Sequence, residues 1–260
     1  MAFKDEIVAL SEDRASGAAE ILQKAATIVL KHAETVPDGD IANALLAARP
    51  DMASVINLAL ELRRHSSTSG ADEITMAFLH EHRKSFARAV NETARLIESG
   101  QKILTYSRSS TILASFLEAK ARGKDFLVYL TESRPGMEGL TLAKELSGVG
   151  IKVVLGTDSA LAGFLGECDM VVIGADAVGP EYFYNKTGTL GLVLLSRAIG
   201  KPFYLSVSRD KLLTQEGISY YRVGEMPEEE IISPVPYGVT VVNRYFEAVP
   251  VNLVTRMVGI

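Results

Sequence analysis

The chain has 260 residues, a formal net charge of −5 and a single cysteine, with 47% hydrophobic and 23% charged residues. These totals are those of an ordinary globular protein with one large domain or two smaller ones. The acidic balance argues against a protein that binds nucleic acid directly. The lone cysteine, Cys168, excludes an intrachain disulfide and disfavours a metal site built from thiolates.

No run approaches the ~20 apolar residues of a membrane-spanning helix, so no membrane interaction is expected. The first residues, MAFKDEIVALSEDR, carry charges within their apolar pattern and lack the core of a signal peptide. The sequence therefore predicts a cytoplasmic protein.

Residues 1–98 are predicted to form a helical domain. Apolar residues recur at helical spacing over residues 17–32, 41–48, 52–64 and 72–98. Arg49-Pro50-Asp51 separates two of these helices, because the residue before a proline resists helical geometry. No strand is expected before residue 101.

Two histidines in this region, His80 and His82, flank Glu81. Positions two apart on a helix point in different directions, whereas helical metal ligands stand three or four residues apart. We interpret both histidines as solvent-facing surface residues, and the sequence predicts no metal site.

Residues 99–260 are predicted to form a second domain, in which strands alternate with helices. Strand-like runs cover residues 102–106, 126–130, 153–155, 171–173 and 203–207, and Val239 to Val242 is a candidate sixth strand. Alternation of this kind favours right-handed crossovers and a parallel sheet. The predicted fold class is therefore α/β: a helical N-terminal domain plus a Rossmann-like, doubly wound parallel sheet.

Polar residues follow the first three of these strands. The first is followed by the hydroxyl-rich turn with Ser107, Ser109 and Ser110, the second by Glu132 and Arg134, and the third by Asp158. Carboxyl ends of parallel strands meet at one edge of a sheet, so these groups are expected to share a ligand pocket. Simpler roles stay open, namely helix capping by the serines or the aspartate and an internal ion pair of Glu132 with Arg134.

The fourth strand leads into the stretch Asp169 to Gly191, where Asp176 follows the strand and Asn185 and Lys186 precede the helix that begins near Leu190. The amino end of a helix favours anions. An acid, an amide and an ammonium group near such an end indicate a site for a phosphorylated small molecule. The alternative is that Asp176 and Lys186 form a buried ion pair with no ligand.

Several short motifs occur together in this order along the chain. The motifs are S-G-A-A-E-I at Ser16 to Ile21, R-P at Arg49 with the later Asn57, E-S-R-P-x-x-E-G at Glu132 to Gly139, G-A-D-A-V at Gly174 to Val178, N-K-x-G-T at Asn185 to Thr189, P-F-Y at Pro202 to Tyr204, and N-x-x-F-E-x-x-P at Asn243 to Pro250. This combination resembles the family that joins the alpha, beta and delta subunits of translation initiation factor 2B with ribose-1,5-bisphosphate isomerase and methylthioribose-1-phosphate isomerase.

The resemblance implies an isomerase-type pocket that needs neither a metal nor an organic cofactor. Asp176 matches the catalytic aspartate of the family, and Asn185 and Lys186 match its phosphate-binding pair. Arg49, Ser109, Ser110, Glu132, Arg134 and Asp158 are the further substrate-binding candidates. The catalytic cysteine of the family aligns with Ser107, whose hydroxyl is a far weaker acid than a thiol. The resemblance also implies a homodimer or a higher homo-oligomer.

Two functions follow from this pattern. The first is an aldose–ketose sugar-phosphate isomerase, in which Asp176 and Ser107 carry out the chemistry. The second is a non-catalytic regulatory protein of the initiation-factor-2B type that binds a sugar phosphate or a nucleotide together with a protein partner. The serine at position 107 motivates the second function.

Overall fold

The computed structural model describes residues 2–13, 17–65 and 69–260, so Ser16, which opens the S-G-A-A-E-I motif, lies outside the described residues. Contacts divide the chain into two compact units: the first contains residues 1–85, 176–180 and 209–222, and the second contains residues 86–175, 181–208 and 223–260. The predicted division after residue 98 stays a prediction. Residues 176–180 and 209–222 cluster with the amino-terminal helices.

Within the described ranges, helices and strands follow one another as the alternation in the sequence predicts. The helices are α1 (Phe3–Glu12), α2 (Ala18–His32), α3 (Asp38–Ala48), α4 (Ala53–His65), α5 (Ala71–Leu96), α6 (Ser110–Ala121), α7 (Glu138–Gly148), α8 (Leu161–Glu167), α9 (Thr189–Ala198) and α10 (Gln215–Tyr220). The strands are β1 (Lys102–Leu104), β2 (Leu127–Thr131), β3 (Lys152–Gly156), β4 (Met170–Ile173), β5 (Ala177–Val178), β6 (Tyr182–Lys186), β7 (Phe203–Ser206), β8 (Phe246–Pro250) and β9 (Arg256–Val258).

The first unit is a helical assembly around α4. Most residues of this helix are buried. Its sequence is suited to burial, because it is apolar and has few charged residues before its last turn. Helix α3 ends at Ala48, directly before Arg49-Pro50, as the proline predicts. The two later segments pair with each other, since the N–H of Leu213 donates to the carbonyl of Val178 at 2.7 Å. The second of them also bonds to the amino-terminal part, where the N–H of Arg222 donates to the carbonyl of Pro50 at 2.8 Å.

His82 differs from the sequence-based interpretation. His80 is exposed, whereas the side chain of His82 is only 19% exposed. Its Nδ1 atom lies 3.1 Å from Oδ1 of the buried Asp210. The helical pattern places His82 near the edge of the apolar stripe. It cannot predict the contact with Asp210, because that residue lies far along the chain.

The second unit contains a six-stranded parallel sheet in the order β3-β2-β1-β4-β7-β9. The strand order reverses between β1 and β4, where Ile103 lies opposite Met170 and Leu104 opposite Val171. In open sheets of this kind, ligands bind beyond the carboxyl ends of the strands at such a reversal. The predicted α/β fold class, with a helical amino-terminal part and a doubly wound parallel sheet, is confirmed.

The core of this unit packs helix side chains against the central strands. Phe116 of α6 and Leu142 of α7 are fully buried together with Val128 of β2 and Val172 of β4. Strands buried on both faces read as near-continuous apolar runs, which is why β2 and β4 are recognisable from the sequence.

The prediction of a sixth strand at Val239 to Val242 is wrong. Residues 239–242 form no strand, and β9 completes the sheet instead, with Tyr204 of β7 opposite Arg256. Valine-rich segments have a high strand propensity, but pairing with a sheet edge decides whether a strand forms. The sequence also did not predict that β6 and β8 pair in antiparallel fashion, with Asn185 opposite Glu247.

Among the described residues, no helix is long and apolar enough to cross a bilayer.

Candidate functional site

Two tight turns with unusual backbone geometry follow β1 and β2. Ser107 and Ser133 both adopt the left-handed region, with φ of 61° and 62°. This region is uncommon for residues other than glycine and often marks functional sites. The N–H of Ser107 donates to Oγ of Ser133 at 3.0 Å, so the two turns are joined directly.

Asp158 holds the second turn in place. Its Oδ1 accepts hydrogen bonds from Oγ1 of Thr131 at 2.6 Å and from the N–H of Ser133 at 2.8 Å. Its Oδ2 accepts a bond from the N–H of Arg134 at 2.7 Å. Bonds to an ionised carboxylate are strong, so this acid fixes the backbone that carries the Arg134 side chain. The predicted substrate contact of Asp158 stays a prediction.

A buried ammonium group lies at the same edge of the sheet. Lys186, the last residue of β6, has a side chain that is only 2% exposed. Its Nζ donates to Oε1 of Glu138 at 3.0 Å and lies 4.1 Å from the centre of the Tyr245 ring. A carboxylate and an aromatic face both stabilise a cation that has lost its water. Oε2 of Glu138 is buried and accepts no hydrogen bond from any described residue.

Tyr106 connects the end of β1 with the turn before α9. Its hydroxyl donates to the carbonyl of Thr187 at 2.7 Å, and a Cβ atom at Gly188 would lie 2.7 Å from that hydroxyl. Gly188 also has a positive φ of 109°, so glycine is required there on two grounds. Burial raises the pKa of Tyr106, and nearby carboxylates raise it further, so the phenol stays protonated and donates at neutral pH.

The amino end of α9 already carries an internal anion. Oε1 of Glu247, from β8, accepts hydrogen bonds from the N–H groups of Gly188 at 2.7 Å and Leu190 at 2.8 Å. The sequence favoured a ligand anion at this helix end. The structure places a side-chain carboxylate there, which satisfies donors that a phosphate would otherwise use.

Asn185 is buried and its Nδ2 donates to Oγ1 of Thr189 at 2.9 Å. Ser109 caps α6, with its Oγ accepting a long bond of 3.5 Å from the N–H of Ile112. A Cβ atom at Gly174 would lie 2.2 Å from this Oγ, which explains the glycine of the G-A-D-A-V motif. Ser110 is exposed at the first turn of α6.

Arg134 and Glu132 follow β2 without pairing with each other. The Arg134 side chain is exposed, and no hydrogen bond or ion pair joins its guanidinium group to any described residue. Glu132 is half-buried, and its backbone N–H donates to the carbonyl of Gly156 at 3.0 Å. Arg134 therefore remains available to a ligand anion.

Arg49 and Asp176 belong to the first unit, whereas the other eight predicted site residues belong to the second. The guanidinium group of Arg49 is buried and donates from Nε and Nη2 to both carboxylate oxygens of Asp51 at 3.0 Å. This bidentate pair gives Arg49 a structural role. Asp176 is half-buried and follows the end of β4 by three residues. The catalytic role of Asp176 stays a prediction.

Cys168 is fully buried at the end of α8, immediately before β4. Burial raises the pKa of its thiol to about 12, and the neighbouring Asp169 and Glu167 add to that effect. The thiol is therefore neutral at pH 7. In the chain, Cys168 precedes β4, whereas Asp176 follows it.

Sequence reasoning missed Glu138, Tyr245 and Glu247 as site residues. Glu138 is the second acid of the E-S-R-P-x-x-E-G motif, and Tyr245 and Glu247 lie in the N-x-x-F-E-x-x-P motif. Both motifs can be recognised in the sequence. The sequence does not show that Glu138 pairs with Lys186 or that Glu247 binds the amino end of α9, because these partners lie far apart in the chain.

Comparison with known proteins places the chain among proteins of two kinds. It is 32% identical over 210 residues to a Pyrococcus horikoshii protein described as eIF-2B subunit 2-like, covering 78% of this chain and 76% of that protein. It is 29% identical over 260 residues to the ribose 1,5-bisphosphate isomerase of Archaeoglobus fulgidus, covering 90% and 80%. It is 30% identical over 243 residues to the methylthioribose-1-phosphate isomerase of Geobacillus thermodenitrificans, covering 82% and 68%.

Solved structures show the same fold. The crystal structure of the Pyrococcus horikoshii translation initiation factor eIF-2B superposes with a TM-score of 0.82 at 28% identity, covering 98% of this chain and 94% of that one. A chain of the tetrameric eIF2B-beta2-delta2 complex from C. thermophilum superposes with a TM-score of 0.76 at 16% identity, covering 100% and 91%. The family described as the initiation factor 2 subunit family matches residues 13–259. This chain therefore belongs to the initiation factor 2 subunit family.

Proposed function

We propose that the chain binds a phosphorylated sugar at the carboxyl edge of its parallel sheet and that it interconverts the aldose and ketose forms of this ligand. The observation that carries the binding proposal is the buried ammonium of Lys186. Removing an ammonium group from water costs several kcal/mol of desolvation free energy, and an apolar side chain would fill the same space without that cost. A retained cation at a ligand-binding edge is best explained by an anionic ligand.

The hydrogen bonds of Lys186 support this proposal. An ammonium group has three N–H donors. Among the described residues, Glu138 takes one donor, and the Tyr245 ring faces the cation without accepting a conventional hydrogen bond. Donors therefore remain for a ligand oxygen. The exposed guanidinium group of Arg134 supplies a second cation for a phosphate group.

The proposed reaction moves hydrogen between C1 and C2 of an aldose phosphate. Asp176 acts as the base or polarises the C2 hydroxyl group, while Lys186 and Asn185 stabilise the negative charge that develops on oxygen. Ser107 stands where the family has its cysteine, and it acts directly or positions a water molecule. The relatives named as isomerases support this reaction for the present chain.

A second candidate function is regulatory binding without turnover. Two observations favour it: position 107 carries a hydroxyl group, and the only thiol of the chain is buried with its pKa raised to about 12. Under this proposal the same pocket binds a sugar phosphate or a nucleotide, and a protein partner recognises the ligand-bound form of the chain. The relatives described as eIF-2B subunit 2-like support it.

One experiment separates the two functions. Purified protein is titrated calorimetrically with ribose 1,5-bisphosphate, and the same mixture is followed by phosphorus NMR for a ketose product. Saturable binding with product from the wild type, and no product from Asp176→Asn, supports the isomerase. Binding without product supports the regulatory protein. Absence of both binding and product contradicts the proposal for this ligand.

The Arg134→Ala variant tests the pocket directly. Loss of the exposed cation is expected to weaken ribose 1,5-bisphosphate binding by about tenfold, equal to about 1.4 kcal/mol. Arg83→Ala is the matched control, because Arg83 is also an exposed arginine and belongs to the other unit. Equal affinities for the two variants would exclude Arg134 from the site.

We also propose that the chain forms homo-oligomers. A structural relative is described as a tetrameric complex, and that statement concerns the relative. In this chain, the irregular segment 226–242 exposes a row of apolar side chains, as an interface between subunits requires. They are Ile231, Ile232, Tyr237, Val239 and Val242.

A further inference from the structure

A cavity of about 680 Å³ lies within the first unit between α4, α5 and residues 209–214. It contains none of the residues assigned above to the sugar phosphate. Its volume falls in the range of small-molecule pockets, and Leu60, Ile74 and Phe78 give it apolar walls. Apolar walls alone do not select a ligand, so the polar groups decide which ligand fits.

Asn57, one of the residues singled out in the sequence, shapes this cavity. Its Nδ2 donates to the carbonyl oxygen of Asp210 at 2.7 Å and to that of Leu212 at 2.9 Å. These two bonds fix residues 210–212 to α4. The amide therefore builds one wall of the cavity and holds Asp210 in that wall.

Asp210 is the most deeply placed charge in the cavity wall. Its side chain is 3% exposed, and its Oδ1 lies 3.1 Å from Nδ1 of His82, which also lines the cavity. A carboxylate held at this depth attracts positive charge more strongly than one at the surface, because less water screens it.

The other charges around the cavity have the same negative balance. Four carboxylates and two guanidinium groups line the cavity, so their net charge is −2 when the histidines are counted as neutral. A proton on His82 would leave a net charge of −1. The acids are Glu61, Glu73, Glu81 and Asp210, and the bases are Arg64 and Arg209.

Phe78 adds an aromatic face to this negative lining. The face of an aromatic ring attracts cations, and the attraction strengthens when the cation is partly desolvated. A positively charged ligand therefore gains from the acids and from the ring, whereas an anion of the same shape is repelled.

We propose that this cavity binds a small organic cation, namely an amine with an apolar or aromatic body. The ammonium group faces Asp210, and the body packs against Phe78 and Leu60. This site is separate from the sugar-phosphate pocket, and its existence does not depend on the function proposed above.

Three probes of one shape test the proposal: 2-phenylethylammonium, 2-phenylethanol and 3-phenylpropanoate. Binding to the full chain is measured by calorimetry, and the site is located by amide NMR shifts of residues 57–85 and 209–214. The ammonium probe is expected to bind at least about tenfold more tightly than the carboxylate probe, with the alcohol between them. Lack of saturable binding by all three probes, or equal affinity for the ammonium and carboxylate probes, overturns the proposal.

Variants identify the charge that selects the cation. Asp210→Asn is expected to weaken binding of the ammonium probe about tenfold and to leave the alcohol unchanged. If circular dichroism shows that this variant is unfolded, the exposed pair Glu73→Gln with Glu81→Gln decides, with an expected loss of about threefold. Glu12→Gln with Glu34→Gln is the control of equal charge change outside the cavity. Equal ammonium affinity in the test and control variants overturns the role of these acids.

Discussion

Internal carboxylates occupy two positions at the predicted phosphate site. Glu138 partners the ammonium of Lys186, and Glu247 accepts hydrogen bonds from the amino end of α9. Both lower the positive potential that a bare lysine and a bare helix end would create. Under the proposed function, binding of a phosphate group is therefore expected to depend more on the exposed guanidinium group of Arg134 than the sequence alone indicates.

The Lys186–Glu138 pair is expected to be strongly coupled. Glu138→Ala leaves a buried ammonium without its carboxylate, and it should lower the free energy of unfolding by about 1–3 kcal/mol. The effect should be smaller than for a fully buried pair, because the Glu138 side chain is 31% exposed. Adding Lys186→Met should restore at least half of that loss, because no buried charge remains. Urea unfolding of the two single variants and the double variant measures the coupling.

Glu145→Ala is the control for this pair. Glu145 lies on the same helix as Glu138 and pairs with Arg108, but both side chains are about one third exposed. Its loss should cost less than about 1 kcal/mol, as for other surface ion pairs. If the effects of Glu138→Ala and Lys186→Met simply add, the two groups do not act as a buried pair.

At the scale of single elements, α7 starts unusually close to the strand that precedes it. A Cβ atom at Gly139 would lie 1.8 Å from the carbonyl oxygen of Thr131, which belongs to the backbone and cannot move aside easily. This contact explains the last glycine of the E-S-R-P-x-x-E-G motif. It also brings Glu138, the first residue of the helix, to the end of β2.

Gly139→Ala is therefore expected to destabilise the protein by about 2 kcal/mol or more, because the helix must shift away from β2. Gly148→Ala, at the other end of the same helix, meets no atom within 4 Å. It should be neutral or should stabilise by up to about 1 kcal/mol through helix propensity. Thermal unfolding compares the two variants, and equal midpoints would contradict the close packing at Gly139.

The β6–β8 pair organises the other side of the same edge. Its register sets Asn185 opposite Glu247 and Lys186 opposite Phe246. Tyr245, next to Phe246 in the chain, thereby comes to lie over the Lys186 ammonium. Two residues of the C-terminal motif, Tyr245 and Glu247, contact the candidate site from β8 and the residue before it.

At the scale of the whole molecule, the apolar segment 226–242 provides a test of self-association. Sedimentation velocity should show a species of at least twice the 28.1 kDa chain mass. The double variant Ile231→Ser with Ile232→Ser should shift this species toward the monomer, because it removes exposed apolar surface from the contact. Val8→Ser, an exposed valine of α1, is the control. A single monomeric species at the highest concentration measured would contradict the oligomer proposal.

The amino-acid sequence alone is enough to recognise the alternation of strands and helices, the polar residues that follow the first four strands, and the family. Apolar periodicity reports which residues become buried, so α2, β2 and β4 lie close to their predicted positions. Asp176 is also recognisable, because it follows an apolar strand, and so are Asn185 and Lys186, because they precede an apolar helix in the N-K-x-G-T motif.

The pairs of side chains that come into contact become evident only from the three-dimensional fold. The partners of the Lys186–Glu138 contact lie 48 residues apart in the chain, and those of the Glu247–Gly188 contact lie 59 apart. The choice of β9 rather than residues 239–242 as the sixth strand likewise depends on which segment reaches the edge at β7. A hydrogen bond or an ion pair requires the rest of the fold to bring two atoms within about 3 Å of each other. The local periodicity of a sequence carries no information about which distant segments the fold brings together in this way.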